Sequence, residues 1–269
     1  MAGTQCCENP PALSSSSGHG SVFELRGLKT YVSGSSDSQK AILLISDIFG
    51  YEAPNLRKLA DKVAAEGYYV VVPDFFYGDP YNPENKERTV QVWLQSHGTD
   101  KGFEDAKQVI AALKDKGISA IGAAGFCWGG KVVVQLATSE NIQAAVLLHP
   151  SFVSVDDFKE VEAPIAILGA EIDHLSPPEL VKQFEEILSS KPEPSVKIGG
   201  QLCENISWCC PWVDCAIQRG GQEGCAECPR SSSELLCMLS SKMYFSGKLV
   251  SLNPVLPPLQ WSFEILPGN

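Results

Sequence analysis

From about residue 28 to residue 198 short apolar runs alternate with stretches of helical spacing, and this rhythm restricts the chain to one broad class of fold. Residues 28–32 suggest a first strand, and residues 41–46 (Ala-Ile-Leu-Leu-Ile-Ser) form an unbroken apolar run, as expected of a strand buried on both faces. Leu56, Leu59, Ala60 and Val63 then recur at helical spacing, and Gly67 follows as a stop, so a helix is expected over 53–66. The pattern repeats with a strand at 69–72, a helix marked by Phe103, Ala106, Val109, Ile110 and Leu113, and a strand at 120–124. It continues with a helix at 130–138, strands at 144–148 and 165–169, a helix at 178–188 and a short strand at 196–198. Strand, helix, strand at these intervals predicts an α/β domain, a mostly parallel sheet with helices on both faces.

The flanks differ from this core. Residues 1–20, rich in Ser, Pro and Gly, are expected to be a flexible arm before a domain over 21–199. From 200 to 269 the rhythm stops, and seven of the ten cysteines lie between Cys203 and Cys237. This stretch reads as a divergent, poorly ordered, Cys-rich tail with one helical pattern at Leu235, Leu236, Leu239 and Met243. Its abrupt change of composition suggests an altered reading frame, a retained intron or a mispredicted exon.

The net charge of −11 argues against a nucleic-acid partner, because counterion release rewards clustered Lys and Arg. No stretch approaches eighteen consecutive apolar residues, so no membrane span is expected, and the chain reads as soluble and cytoplasmic.

Chemistry concentrates at Gly125-Phe126-Cys127-Trp128-Gly129-Gly130, between an apolar strand and a helical segment. That is the context of a nucleophile elbow, in which glycines permit a sharp turn and the following helix N-terminus favours a thiolate at Cys127. The backbone N–H of Trp128 becomes one oxyanion donor, and that of Ile48, in the loop after the 41–46 strand, the second. Asp47 beside it places a carboxylate near the thiol, although a plain loop or capping role also fits. Asp173, on the loop after the 165–169 strand, stands where the acid of a triad follows its nucleophile in chain order.

Taken together, Ser46-Asp47-Ile48-Phe49-Gly50, Pro73-Asp74-Phe75-Phe76, Gly125 to Gly130, His149-Pro150-Ser151-Phe152 and Gly169-Ala170-Glu171-Ile172-Asp173 resemble the dienelactone hydrolase (carboxymethylenebutenolidase) family, its plant members in particular. The resemblance runs from the N-terminal Cys6-Cys7 to about Gly199. It implies the α/β-hydrolase fold and cleavage of a small ester or lactone through an acyl-enzyme, without metal or cofactor. Carried over, Cys127 is the nucleophile, Asp173 the acid, and Asp47 holds the place where relatives commonly carry Glu. Bacterial members have a substrate-binding arginine shortly after the Pro-Asp motif, where Gly78 stands nearest here, which argues against dienelactone itself as substrate.

The resemblance also implies a histidine just after the last strand, yet none occurs from Gly199 to Asn269. His149, ending a strand, and His174, adjacent to Asp173, are the remaining candidates for a base. Both read more simply as structural or loop residues, and His19 and His97 rank lower. Activity of this chain is therefore expected to be impaired. The alternatives are a catalytically inactive binding protein of the same fold and a redox-sensitive thiol protein acting through Cys127. In the tail, Cys225-Ala226-Glu227-Cys228 with Cys209, Cys210 and Cys215 is a weak zinc pattern, and Asn205-Ile206-Ser207 fits a glycosylation acceptor of little meaning without a secretory signal.

Overall fold

The structure is a computed structural model that describes residues 10–170, 173–191 and 199–202. In chain order its strands are β1 (Ser21–Leu25), β2 (Leu28–Ser33), β3 (Lys40–Ile45), β4 (Tyr69–Pro73), β5 (Ala120–Phe126), β6 (Ala144–Leu148), β7 (Ile165–Ala170) and β8 (Gly199–Leu202). The helices are α1 (Pro54–Ala65), α2 (Val90–Leu94), α3 (Thr99–Asp115), α4 (Trp128–Leu136), α5 (Val155–Lys159) and α6 (Pro178–Ser190). One sheet runs in the order β1-β2-β4-β3-β5-β6-β7-β8. β1 and β2 join it antiparallel, and every pairing from β4 through β8 is parallel.

The unbroken apolar runs are explained by burial on both faces, since successive strand residues point to opposite sides. Ala41, Leu43 and Ile45 share one layer with Ile121, Ala123, Ala145, Leu147, Ile165 and Ile167, beneath apolar residues of α3, α4, α5 and α6. Ile42 and Leu44 share the other with Val70, Val72, Ala124, Val146 and Leu148, against Leu56, Leu59, Ala60 and Val63 of α1. Each fully buried Leu, Ile or Val stabilises the fold by about 1.5–3 kcal/mol relative to exposure. Helices thus lie on both faces, as the alternation predicts.

The differences from expectation lie in the short and peripheral elements. β1 has no buried apolar face, and the five-residue helices α2 and α5 are too short to show helical periodicity. The strand expected at 196–198 falls outside the described residues, while β8 pairs with β7 from Ile167↔Gly199 to Ala170↔Leu202. The sheet therefore extends beyond residue 199, where the change in sequence rhythm set the domain boundary.

Part of the segment expected to be a flexible arm is tied to the domain. The Arg57 guanidinium, 1% exposed, donates to the carbonyls of Ser15 (2.8 Å) and Tyr51 (3.0 Å), and the His19 N–H donates to Asp61 (2.8 Å). The Cys-rich stretch from Cys203, with its candidate zinc and glycosylation positions, lies outside the described residues, as do Cys6 and Cys7. Among the described residues no helix is long and apolar enough to cross a membrane.

Candidate active site

The order of the strands places the site. From β3 the chain goes outward to β4, then returns to lay β5 on the other side of β3, so the loops leaving β3 and β5 diverge at their carboxyl ends. Such a switch point is where open parallel sheets form a crevice. Ile45 is in register with Gly125, which brings the Ser46-Asp47-Ile48 loop alongside Phe126 and Cys127.

Cys127 has φ 49° and ψ −109°, a strained conformation for a residue with a side chain. Its neighbours show why the chain accepts it. A Cβ at Gly125 would lie 2.2 Å from the Gly129 carbonyl oxygen, and one at Gly129 would lie 2.4 Å from that of Ile45. A Cβ at Gly130 would lie 2.7 Å from the Pro150 Cβ. The glycines therefore let α4 start directly against the ends of β3 and β5. Because α4 begins at Trp128, the N–H of that residue belongs to a first helical turn, whose N–H groups have no intrahelical acceptor.

The expected oxyanion loop is built as a tight turn. The Asp47 carboxylate accepts the Phe49 N–H (2.9 Å), its carbonyl accepts the Gly50 N–H (3.2 Å), and Gly50 takes the positive φ of 84° that the turn requires. The Tyr81 N–H donates to the Ile48 carbonyl at 2.9 Å, tying the peptide that follows the Ile48 N–H to the Tyr81 segment. Asp47 thus has a structural duty at the turn. Burial of its carboxyl, only partly offset by the Phe49 N–H, pushes its pKa up to about 6.

An aromatic brace supports the elbow from below. The Trp128 indole N–H donates to the His97 carbonyl (2.9 Å), and the His97 ring stacks on Trp93 with centroids 4.3 Å apart. Phe76 meets Trp93 at 4.8 Å and Trp128 at 4.9 Å, both edge-on. His97 is part of this scaffold. The Pro73-Asp74 segment serves as a turn too: buried Asp74 accepts the Phe76 N–H (3.2 Å) and donates its own N–H to the Lys29 carbonyl (2.7 Å).

The loops after β6 and β7 meet the elbow from the other side. The Ser151 hydroxyl lies 3.1 Å from the Cys127 Sγ, and the Ser151 N–H donates to the Cys127 carbonyl (3.0 Å). Asp173, 8% exposed, accepts the N–H groups of Leu175 (2.7 Å) and Ser176 (3.1 Å) through one carboxylate oxygen. The Ser176 hydroxyl in turn donates to the Pro150 carbonyl (2.6 Å), which links the Asp173 turn to the segment touching Cys127. His149 begins that segment, with φ 37° and its ring 6.4 Å from that of Phe126. Burial holds His149 below the ordinary histidine range, while the Asp173 charge pulls it the other way. His174 is exposed, and His19 lies at the sheet's far edge beside Asp61.

Cys127, Ile48, Trp128 and Asp47 therefore gather at adjoining strand ends, with Asp173 connected through Ser176 and Pro150. Sequence reasoning missed Ser151 and Ser176; the one available signal was the His149-Pro150-Ser151-Phe152 segment, which entered only as a mark of the resemblance and through His149.

A model of the dienelactone hydrolase family matches residues 28–198. The chain belongs to the dienelactone hydrolase family. It is 45% identical to a Zea mays endo-1,3;1,4-beta-D-glucanase over 71% of its own length, and spans 64% of that relative's length. It is 35% identical to a carboxymethylenebutenolidase homolog of Xenopus tropicalis, over 66% of this chain and 75% of that protein. Among solved structures, a dienelactone-hydrolase-like promiscuous phosphotriesterase from metagenomic libraries superposes with a TM-score of 0.58 at 16% identity, covering 80% of this chain and 92% of the other. That likeness shows the α/β-hydrolase fold, and the fold alone.

Proposed function

We propose that the chain is a hydrolase of small carboxylic esters or lactones that works through a Cys127 thioester. The observation that carries the reading is the elbow: a thiol held at φ 49° before the first turn of α4, at the sheet's switch point and beside the Ile48 loop. In this reading the thiolate attacks the substrate carbonyl carbon, and the oxyanion is received by the N–H groups of Ile48 and Trp128. The C–O bond breaks and the leaving oxygen takes a proton from water; a water molecule then attacks the thioester, the C–S bond breaks to return the Cys127 thiolate, and the acid departs. Asp173 holds the place of the acid that would orient a base, and Asp47 modulates the thiol's charge.

The base is the weak part of the arrangement. Family resemblance implies a histidine after the last strand, and residues 199–269 contain none. General-base assistance is worth on the order of 10²–10⁴ in rate, so slow turnover is expected, most visible on esters with good leaving groups. Such an ester and its Cys127→Ala variant provide the test. Turnover that the substitution abolishes supports the thiol hydrolase; wild-type turnover no greater than that of the variant removes it and leaves an inactive binder or a redox thiol.

The maize relative's name motivates a second arm with mixed-linkage β-glucan; glycoside hydrolysis calls for a pair of carboxyl groups, and this reading would have to use Asp47 and Asp173, on the loops after β3 and β7 with β5 and β6 between them. Release of oligosaccharides that survives Cys127→Ala but not Asp173→Asn would favour that chemistry over the thioester.

A further inference from the structure

We propose that Ser151 is a positioning residue for Cys127, its hydroxyl donating a hydrogen bond that holds the thiolate in place. This rests on the reading of Cys127 as nucleophile and adds a residue to that site. A thiolate can only accept, so at an Oγ···Sγ distance of 3.1 Å the hydroxyl is the donor whenever Cys127 is ionised. Both side chains are buried, Cys127 at 6% and Ser151 at 1% exposure, so bulk water contributes little to holding the charge. Hydrogen bonds to charged groups in such surroundings are among the stronger ones.

The geometry is fixed from several directions. The Ser151 N–H to Cys127 carbonyl bond (3.0 Å) ties the two backbones, and the Ser176 hydroxyl pins the adjacent Pro150 carbonyl (2.6 Å). His149 and Phe152, flanking the Pro150-Ser151 pair, take positive φ values of 37° and 63°. A backbone kept in that conformation on both sides limits where the Ser151 Cβ, and with it the hydroxyl, can lie.

The surrounding charges make the donor matter. Asp47 lies on the loop after β3 and Asp173 on the loop after β7, and any carboxylate near the thiol disfavours its thiolate. Buried His149 is biased toward its neutral form. Among the described contacts, the N-terminal peptides of α4 and the Ser151 hydroxyl favour the thiolate.

The test is the pH dependence of iodoacetamide alkylation in the full chain, with modification quantified on the peptide containing Cys127 because the chain carries ten cysteines. Ser151→Ala is expected to raise the thiol's apparent pKa by about one unit, so that alkylation below the wild-type pKa slows about tenfold. Ser151→Thr, which keeps the hydroxyl, should return the thiol most of the way to its wild-type pKa. Ser176→Ala, which loosens the segment but leaves the Ser151 hydroxyl, should raise the pKa by less than Ser151→Ala does. An Ala variant whose thiol titrates as in wild type, or lower, overturns the proposal, as does a Ser176→Ala effect equal to that of Ser151→Ala. If Ser151→Ala does not fold, a Ser151→Thr thiol whose pKa lies about one unit or more above wild type overturns it equally. The measurement reads the thiol itself, so it decides the role of Ser151 even in a chain that turns over no ester. Conversely, loss of ester turnover in Cys127→Ala tests the nucleophile whatever the result for Ser151.

Discussion

The two sides of the site are held by different forces. On the elbow side, from β5 into α4, position is set by exclusion: a Cβ at Gly125 or Gly129 would stand within 2.4 Å of a backbone oxygen, so the turn has one way to close. On the side formed by the loops after β6 and β7, position is set by attraction. Asp173 gathers the N–H groups of Leu175 and Ser176, Ser176 reaches Pro150, and Ser151 reaches Cys127. Steric exclusion inside a packed sheet edge is stiff and intolerant of any added atom. A chain of hydrogen bonds gives way link by link, each worth about 1 kcal/mol net and more where a partner is left buried and unpaired.

This contrast can be broken at its stiff end first. Gly129→Ala should destabilise the fold by about 3 kcal/mol or more, because the new methyl meets the backbone oxygens of Ile45 and Ser46, which no rotamer change can move aside. Denaturant unfolding checks this; a loss below about 1 kcal/mol would mean that α4 shifts readily and the elbow is not held by exclusion.

The next effect concerns Asp47, on the turn after β3 beside the elbow, where burial carries an electrostatic cost. Its carboxyl titrates near 6 in the fold, above the ordinary 3.8, so the folded state binds the proton more tightly than the unfolded chain. The stability this confers is complete below about pH 3.8 and disappears as pH rises through about 6. A carboxyl raised from 3.8 to about 6 accounts for at most about 3 kcal/mol. Asp47→Asn keeps a turn-forming oxygen for the Phe49 N–H, so the variant should gain stability over wild type at about pH 8 and lose that advantage at about pH 4. Thermal unfolding at the two pH values checks the sign; an equal difference at both would show that the Asp47 carboxyl is not raised in the fold.

The smallest of these effects belongs to the hydrogen-bonded side. Ser176→Ala removes the donor to the Pro150 carbonyl and should cost about 1–2 kcal/mol. Amide exchange should quicken around residues 149–152 while the first turn of α4 stays protected. Exchange that quickens equally in both would join the two sides into one cooperative unit.

The same contrast explains what could be read in advance. The elbow was legible because exclusion leaves a local mark, three glycines around Cys127 between an apolar strand and a helix. The sheet was legible for a similar reason, since burial on both faces demands continuous apolar runs such as residues 41–46. β1 left no such mark, because its residues are largely exposed and its place is decided by pairing with β2. The role of His97 was also invisible: it lies 31 residues before the indole that its carbonyl accepts, and only the folded brace brings them together.

The sequence by itself thus determined the layered parallel sheet, the family and the turn that presents Cys127, because hydrophobic periodicity and missing Cβ atoms act over a few residues. Tertiary structure alone decided which groups surround that thiol. Ser151 lies 24 residues from Cys127 and Ser176 lies 26 from Pro150, and these pairs meet only because β5, β6 and β7 end side by side. Hydrogen bonds between ends of neighbouring strands depend on sheet order and register, and a serine carries no local signature of the strand end it will face.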